Sequence, residues 1–107
     1  MKRRQPLFLA AALIGLVVGS AQASETLSTQ GGCSICHAPA KKLVGPAFRD
    51  IALKYKGQSN AMALLTDRIR KGSKGVWGPV PMPPTPVAKL NDADLKALLA
   101  WVLKPPG

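Results

Sequence analysis

Cysteine and histidine are scarce in this 107-residue sequence, which has two cysteines and one histidine. A structural zinc ion usually takes four protein ligands, and no further cysteine or histidine is present to complete such a set. Aromatic residues are also few, at 5% of the chain. A short chain with few aromatics can form only a limited core of its own. The composition therefore argues against a zinc module and favours a fold that gains apolar contacts from another source.

A second long hydrophobic run is absent. The one apolar run, at residues 7–18, follows a basic start at residues 1–4 and precedes small residues around Ala23. That order is typical of a secretory signal peptide with cleavage after Ala23. The alternative is an uncleaved anchor, but the run is shorter than the about 20 residues of a membrane span. We expect residues 1–23 to be removed and residues 24–107 to form one exported domain, in the periplasm and without stable membrane insertion.

Acidic residues are few: five, against 15 Lys and Arg, which gives a formal net charge of +10. Without the three basic residues of the predicted signal peptide the charge is +7. A basic surface suits nucleic acid, anionic lipid or an acidic protein. The exported location argues against nucleic acid. The lysines are scattered, so they indicate either a solubilising surface or a surface that docks on an acidic partner.

Both cysteines and the histidine fall within residues 33–37, which read Cys-Ser-Ile-Cys-His. This is the c-type haem attachment pattern. Two thiols on one helical turn, Cys33 and Cys36, can add across the two vinyl groups of a haem. His37 can then supply an imidazole nitrogen to the iron. A haem would also provide the large apolar plate that a small core lacks.

Other interpretations of the two cysteines stay open. They could be half of a zinc site, for which the other ligands are missing. They could be a thioredoxin-like dithiol, but such a motif lies near a βαβ pattern, and the sequence has no strand pattern. A disulfide between Cys33 and Cys36 is the third alternative, and it would close a very short loop and stabilise little.

Apolar spacing predicts an all-helical chain. Residues 47–56 and 61–71 each place apolar side chains on one helical face, and residues 24–32 form a weaker candidate. We expect Asn60 to cap the third helix. The last helix is the clearest, with Asn91 as its cap, two aspartates in its first turn and Pro105-Pro106 after its end.

Residues 73–89 contain two glycines and five prolines, which exclude a helix or a central strand. They predict a stiff, extended loop whose apolar side chains, Val76, Trp77, Val80 and Met82, are buried. Met82 is the predicted second iron ligand, because prolines on both sides restrict its backbone and lower the entropy lost on ligation. Met62 lies in the third helix, where we expect core filler.

Ligation by histidine and methionine would fill both axial positions. A neutral thioether favours ferrous iron, and a filled sixth position indicates one-electron transfer rather than catalysis. An open position would instead indicate a peroxidase or a gas sensor. Arg68 lies near the predicted buried face of the third helix. The methylene groups of Arg68 could pack along the core while its guanidinium reaches water. Alternatively, the guanidinium could pair with a buried anion such as a haem propionate.

The sequence resembles class I cytochromes c, and within them the small bacterial cytochrome c-551 type. The matching segments are residues 32–37, 44–47, 68–69, 72–73, 75–79, 81–84 and 101–103. The resemblance implies an all-α fold of about four short helices wrapped around one covalently bound haem, with a Pro-rich loop carrying the methionine ligand. Two positions depart from the type. Ser28 replaces an aromatic that packs on the last helix, and Thr85 replaces an asparagine after the methionine.

The resemblance also implies the site residues. Cys33 and Cys36 would bind the haem covalently, and His37 and Met82 would be the axial ligands of its iron. The carbonyl of Pro46 would accept a hydrogen bond from the other nitrogen of His37. The remaining implied residues, which would hydrogen-bond the inner propionate, are Arg68 and Trp77.

The function implied by the resemblance is a periplasmic, monomeric haem c protein that shuttles single electrons and is not an enzyme. Its expected partners are a quinol-oxidising complex as donor and a nitrite reductase or terminal oxidase as acceptor. We expect a ring of lysines to steer it onto acidic patches of these proteins: Lys41, Lys42, Lys71 and Lys74. The alternatives are a haem subunit or electron acceptor dedicated to one periplasmic dehydrogenase and an open-site haem enzyme or sensor.

Overall fold

The structure is a computed structural model that describes Arg3 and residues 20–104. Over these residues the chain forms four α-helices and one short 3₁₀ turn, and it has no β-strand. The elements are α1 (Ser20–Gln30), the 3₁₀ turn (Cys33–Ile35), α2 (Phe48–Lys54), α3 (Ala61–Lys71) and α4 (Asp92–Val102). The predicted all-α fold with four short helices is confirmed. None of the described helices is long and apolar enough to cross a membrane.

Helix α1 begins one turn earlier than predicted, at Ser20, and ends at Gln30. The added turn contains Ala-Gln-Ala, which have high helix propensity. The end is set by two glycines, of which Gly32 adopts a φ of 77°, a conformation that favours glycine. Most of the predicted signal peptide lies outside the described residues, and cleavage after Ala23 stays a prediction.

The middle helices lie close to the predicted positions. Helix α2 is slightly shorter than expected, since Ala47 is its N-cap and Tyr55 its C-cap. Helix α3 has the predicted bounds and ends at Gly72, whose φ is 84°. Asn60 occupies the predicted N-cap position of α3, but its side chain makes no capping hydrogen bond.

Helix α4 is the centre of the core, and α1, α2 and α3 all contact it. Its start is capped as predicted, with the backbone N–H of Asp94 donating to Oδ1 of Asn91 at 2.8 Å. Pro105 and Pro106 lie outside the described residues. The larger buried apolar side chains of the core are Phe48, Tyr55, Leu65, Leu90, Leu95, Leu98, Leu99 and Val102.

Residues 73–89, hereafter the ligand loop, contain no helix or strand, as predicted. The expected burial of the loop's apolar side chains holds only in part. Val76 and Met82 are half-buried, whereas Trp77 is 43% exposed and Val80 60% exposed. The buried core consists of residues of α2, α3 and α4 together with Tyr55 and Leu90, and no residue of the loop belongs to it.

Candidate functional site

The segment from Cys33 to His37 forms one tight turn. The backbone N–H groups of Cys36 and His37 both donate to the carbonyl of Cys33, at 3.1 and 2.9 Å. Gly32 allows this turn to follow α1 directly, because its left-handed conformation reverses the chain. Both cysteines are half-buried, and their sulfur atoms are not joined in a disulfide. Two thiols and an imidazole are thus presented from a single turn.

The two thiols lie in a partly apolar environment. Burial raises the pKa of the Cys33 thiol above its usual value, and a backbone hydrogen bond and the Lys89 ammonium oppose only part of this rise. No group of three or more His, Cys, Asp or Glu side chains that could hold a metal ion occurs within residues 20–104.

The His37 imidazole is fixed from three directions. Its Nδ1 lies 2.7 Å from the carbonyl oxygen of Pro46, and because a carbonyl only accepts, Nδ1 donates. Nε2 of the neutral ring then carries the free lone pair that an iron ion needs. Phe48 stacks on the ring, with centroids 5.3 Å apart and planes at 18°. Gly45 lies so close that an added Cβ would be 2.6 Å from Cε1.

Met82 is fixed by its backbone rather than by its side chain. Its N–H donates to the carbonyl of Ser73 at 2.7 Å, and the N–H of Ser73 donates back to the Met82 carbonyl at 3.0 Å. Gly72 makes room for this pair, because a Cβ there would lie 2.9 Å from the Met82 carbonyl oxygen. Met62 packs against the core, as expected of a core filler.

Arg68 and Trp77 belong to one cluster of cations and aromatic rings. The Arg68 guanidinium donates to the Tyr55 hydroxyl and lies 5.9 Å from the centre of that ring. The Lys54 ammonium lies 6.0 Å from the Tyr55 ring and 5.4 Å from the Trp77 ring, within the range of cation–π attraction. Binding of a propionate by Arg68 and Trp77 stays a prediction, and the positive charge of this cluster suits an anion.

Three residues of these clusters were not found from the sequence. Gly45 lies next to Pro46, and a glycine in that place could have indicated a close approach. Lys54 and Tyr55 lie at the C-terminal end of α2. Their contacts with Arg68 and Trp77 depend on how α2 is oriented towards α3 and the ligand loop, which spacing within one helix does not show.

The model of the Cytochrome c family matches residues 21–105. The chain belongs to the cytochrome c family. Cytochrome c2 of Rubrivivax gelatinosus is 52% identical over 80 residues, which are 75% of this chain and 94% of that protein. Cytochrome c-552 of Nitrosomonas europaea is 47% identical over 96 residues, which are 90% of this chain and 89% of that protein.

The fold of this cytochrome c agrees with a solved relative. The crystal structure of wild-type Nitrosomonas europaea cytochrome c552 matches it with a TM-score of 0.67 and 43% identity. The match covers 77% of this chain and 99% of that one. The protein is therefore a small class I c-type cytochrome, as the resemblance implied.

This cytochrome c binds one haem c covalently, and its only cysteines, Cys33 and Cys36, fit that attachment. Apolar side chains that the protein leaves exposed adjoin the donor groups in sequence and suit a planar apolar group. Ile35, between the cysteines, is 76% exposed, and Val44, next to Gly45, is 56% exposed. As a monohaem c-type cytochrome, the protein is an electron carrier that exchanges electrons with redox partner proteins.

Proposed function

We propose that this cytochrome c shuttles single electrons in the periplasm, with its iron held between His37 and Met82. The observation that carries the proposal is the pair of hydrogen bonds between Ser73 and Met82, which fixes the backbone of the proposed thioether ligand. The haem, when bound, supplies one-electron redox chemistry. His37 contributes the Nε2 lone pair, oriented by the bond from Nδ1 to Pro46. Met82 contributes a neutral sulfur that favours the ferrous state.

The remaining residues of the site hold and shield the group. Cys33 and Cys36 would anchor the haem, and Arg68 and Trp77 would donate hydrogen bonds to one of its propionates. His37 and Met82 would both bind the iron, which would keep external ligands from it. The proposed function is therefore electron transfer and not catalysis at an open haem.

The proposed partners are redox proteins with acidic patches. A quinol-oxidising complex would be the donor, and a nitrite reductase or terminal oxidase the acceptor. Three exposed lysines, Lys41, Lys42 and Lys74, support this choice by their charge. Gel filtration of native periplasmic extract should show a free monomer. The N-terminal residue of that monomer, determined separately, should be Ser24. Elution with one dehydrogenase would support a dedicated subunit instead.

Replacement of Met82 tests the ligand assignment. Met82→Ala should lose the weak absorption band near the red edge of the ferric spectrum, bind carbon monoxide when reduced, and have a lower midpoint potential. Met62→Ala is the matched control, since it removes the other described methionine, which packs against the core, and should keep the band. An unchanged low-spin spectrum in Met82→Ala would refute the assignment, and carbon monoxide binding by the unmodified protein would indicate an open site.

A further inference from the structure

Arg70 of α3 connects three parts of the molecule. Its Nη1 donates to the backbone carbonyl of Thr85 at 3.1 Å, and its Nη2 donates to Oδ1 of Asp92 at 2.7 Å. One guanidinium thus joins the last turn of α3, the ligand loop and the first turn of α4. The Arg70 side chain is 18% exposed and that of Asp92 is 83% exposed, so the part-buried bond to Thr85 is better shielded from water and from screening by salt than the ion pair with Asp92.

The backbone after Met82 has few groups by which it can be held. Residues 83–86 read Pro-Pro-Thr-Pro, and proline has no N–H to donate. Thr85 therefore carries the only backbone donor between Met82 and Val87. That N–H donates to the carbonyl of Ile69 at 2.7 Å, and the Thr85 carbonyl accepts from Arg70. Both backbone polar groups of Thr85 are bound to residues of α3.

The shape of the guanidinium matters for this arrangement. Its two terminal nitrogens reach two acceptors in a fixed planar geometry, whereas a lysine ammonium is a single flexible point charge. A hydrogen bond from a charged donor is also stronger than one between neutral groups. Arg70 can therefore hold Thr85 and Asp92 at the same time, and lysine at this position could not do so equally well.

We propose that Arg70 is a positioning residue for Met82. Arg70 holds Thr85, three residues after the proposed ligand, against α3 and is itself tied to α4 through Asp92. It thereby restricts the ligand loop and keeps the thioether at the iron. A thioether is a weak ligand, so the rate at which it is replaced depends on how firmly the backbone holds it. This inference rests on the proposed ligation by Met82, and it adds a residue that controls how long that bond persists.

The test compares the holoprotein with its Arg70→Gln and Arg70→Lys variants. The first measurement is amide hydrogen exchange at Thr85. The second is the rate at which the ferric protein binds imidazole, which requires Met82 to leave the iron. Both rates should rise about tenfold in Arg70→Gln, through loss of a charge-assisted hydrogen bond, and less in Arg70→Lys. Lys96→Gln, an exposed change on α4 that also removes one positive charge, should leave both rates unchanged.

Three results would overturn the proposal. Wild-type rates in both Arg70 variants would show that the Arg70 hydrogen bonds do not restrict the ligand loop. Faster exchange at Thr85 with unchanged imidazole binding would show that the contact between Arg70 and Thr85 does not affect Met82. An equal acceleration of exchange at Leu98, in the core of α4, would mean general destabilisation.

Failure of the ligand assignment itself has a different signature. If Met82 is not a ligand, the wild-type holoprotein itself binds imidazole as fast as Met82→Ala does. In that case the inference about Arg70 falls together with the assignment. If wild type binds slowly and the Arg70 variants behave like it, only the inference fails.

Discussion

The residues around His37 each constrain its ring in a different way. Pro46 fixes the rotation of the ring through the hydrogen bond to Nδ1, and Phe48 covers one face. Phe48 in turn meets Trp101 of α4 edge to face, with centroids 5.5 Å apart. Gly45 contributes by having no side chain. The orientation of the proposed ligand therefore depends on one loop and two helices.

Gly45→Ala should displace the imidazole, because the new Cβ would lie 2.6 Å from Cε1 and 2.9 Å from Nδ1 of His37. We expect a loss of about 1–3 kcal/mol in the free energy of unfolding, as for other overpacked sites. The hydrogen bond to Pro46 should weaken as well. Denaturant unfolding measures the first effect, and the NMR shifts of the His37 ring protons measure the second.

Gly57→Ala is the control for that variant. Gly57 has a φ of 78° and nothing within 4 Å of an added Cβ. It should lose about 1 kcal/mol from backbone strain alone, with unchanged His37 signals. If Gly45→Ala also left those signals unchanged, the close approach of Gly45 would not constrain the ring.

Among the helices, α4 is contacted by all three others. The cap at its N-terminus and the burial of Ser28 on α1 affect stability independently of each other. The N-terminus of α4 is capped by Asn91, while α3 begins without such a bond. Ser28 on α1 is only 3% exposed, and its hydroxyl has no hydrogen-bond partner. A short polar side chain on α1 thus leaves a polar atom at a buried position.

Asn91→Ala should lower the free energy of unfolding by about 1 kcal/mol, because it removes the acceptor for the Asp94 N–H. Asn60→Ala makes the same chemical change at the start of α3, where no capping bond exists. It should change stability by less than about 0.5 kcal/mol. Denaturant unfolding of both variants provides the comparison, and equal losses would contradict the assignment of the cap.

Ser28→Ala should raise the free energy of unfolding by about 1 kcal/mol, because a buried hydroxyl without a partner is removed. Alanine also has the higher helix propensity. Gln30→Ala controls for that effect, since Gln30 also lies on α1 and is exposed. Thermal or chemical unfolding measures both. A decrease in Ser28→Ala would indicate that the hydroxyl is satisfied in solution.

For the whole molecule, charge is unevenly balanced, with 15 basic and five acidic residues. The lysines of the predicted ring are all exposed, but they do not contribute equally. Lys71 forms an ion pair with Asp67 at 2.8 Å, and its hydrogen bond to that carboxylate raises the pKa of the ammonium. We therefore expect Lys41, Lys42 and Lys74 to carry most of the attraction to an acidic partner.

Electron transfer to the purified physiological acceptor should slow by at least about tenfold as ionic strength rises from about 0.01 M to about 0.5 M, because salt screens the steering charges. Stopped-flow kinetics at several salt concentrations measures this. Reaction with an uncharged small reductant should not depend on salt. If the rate of electron transfer to the acceptor also did not depend on salt, that result would argue against docking through the lysines.

The sequence alone determined the features that depend on neighbouring residues. The spacing of Cys33, Cys36 and His37 is set by covalent geometry over one turn, so it indicated the haem without a structure. The bounds of α3 and the cap at Asn91 followed from local apolar spacing and side-chain chemistry. Proline density in the ligand loop likewise excluded regular structure there.

Only the tertiary structure decided the contacts between segments that are far apart in the chain. The approach of Arg68 to Tyr55, the bridge from Arg70 to Thr85 and Asp92, and the approach of Lys54 to Trp77 depend on how the helices and the ligand loop pack together. Periodicity shows which face of a helix is apolar but not which partner that face meets. The positions of these polar side chains are set by that packing, and so no local pattern could reveal them.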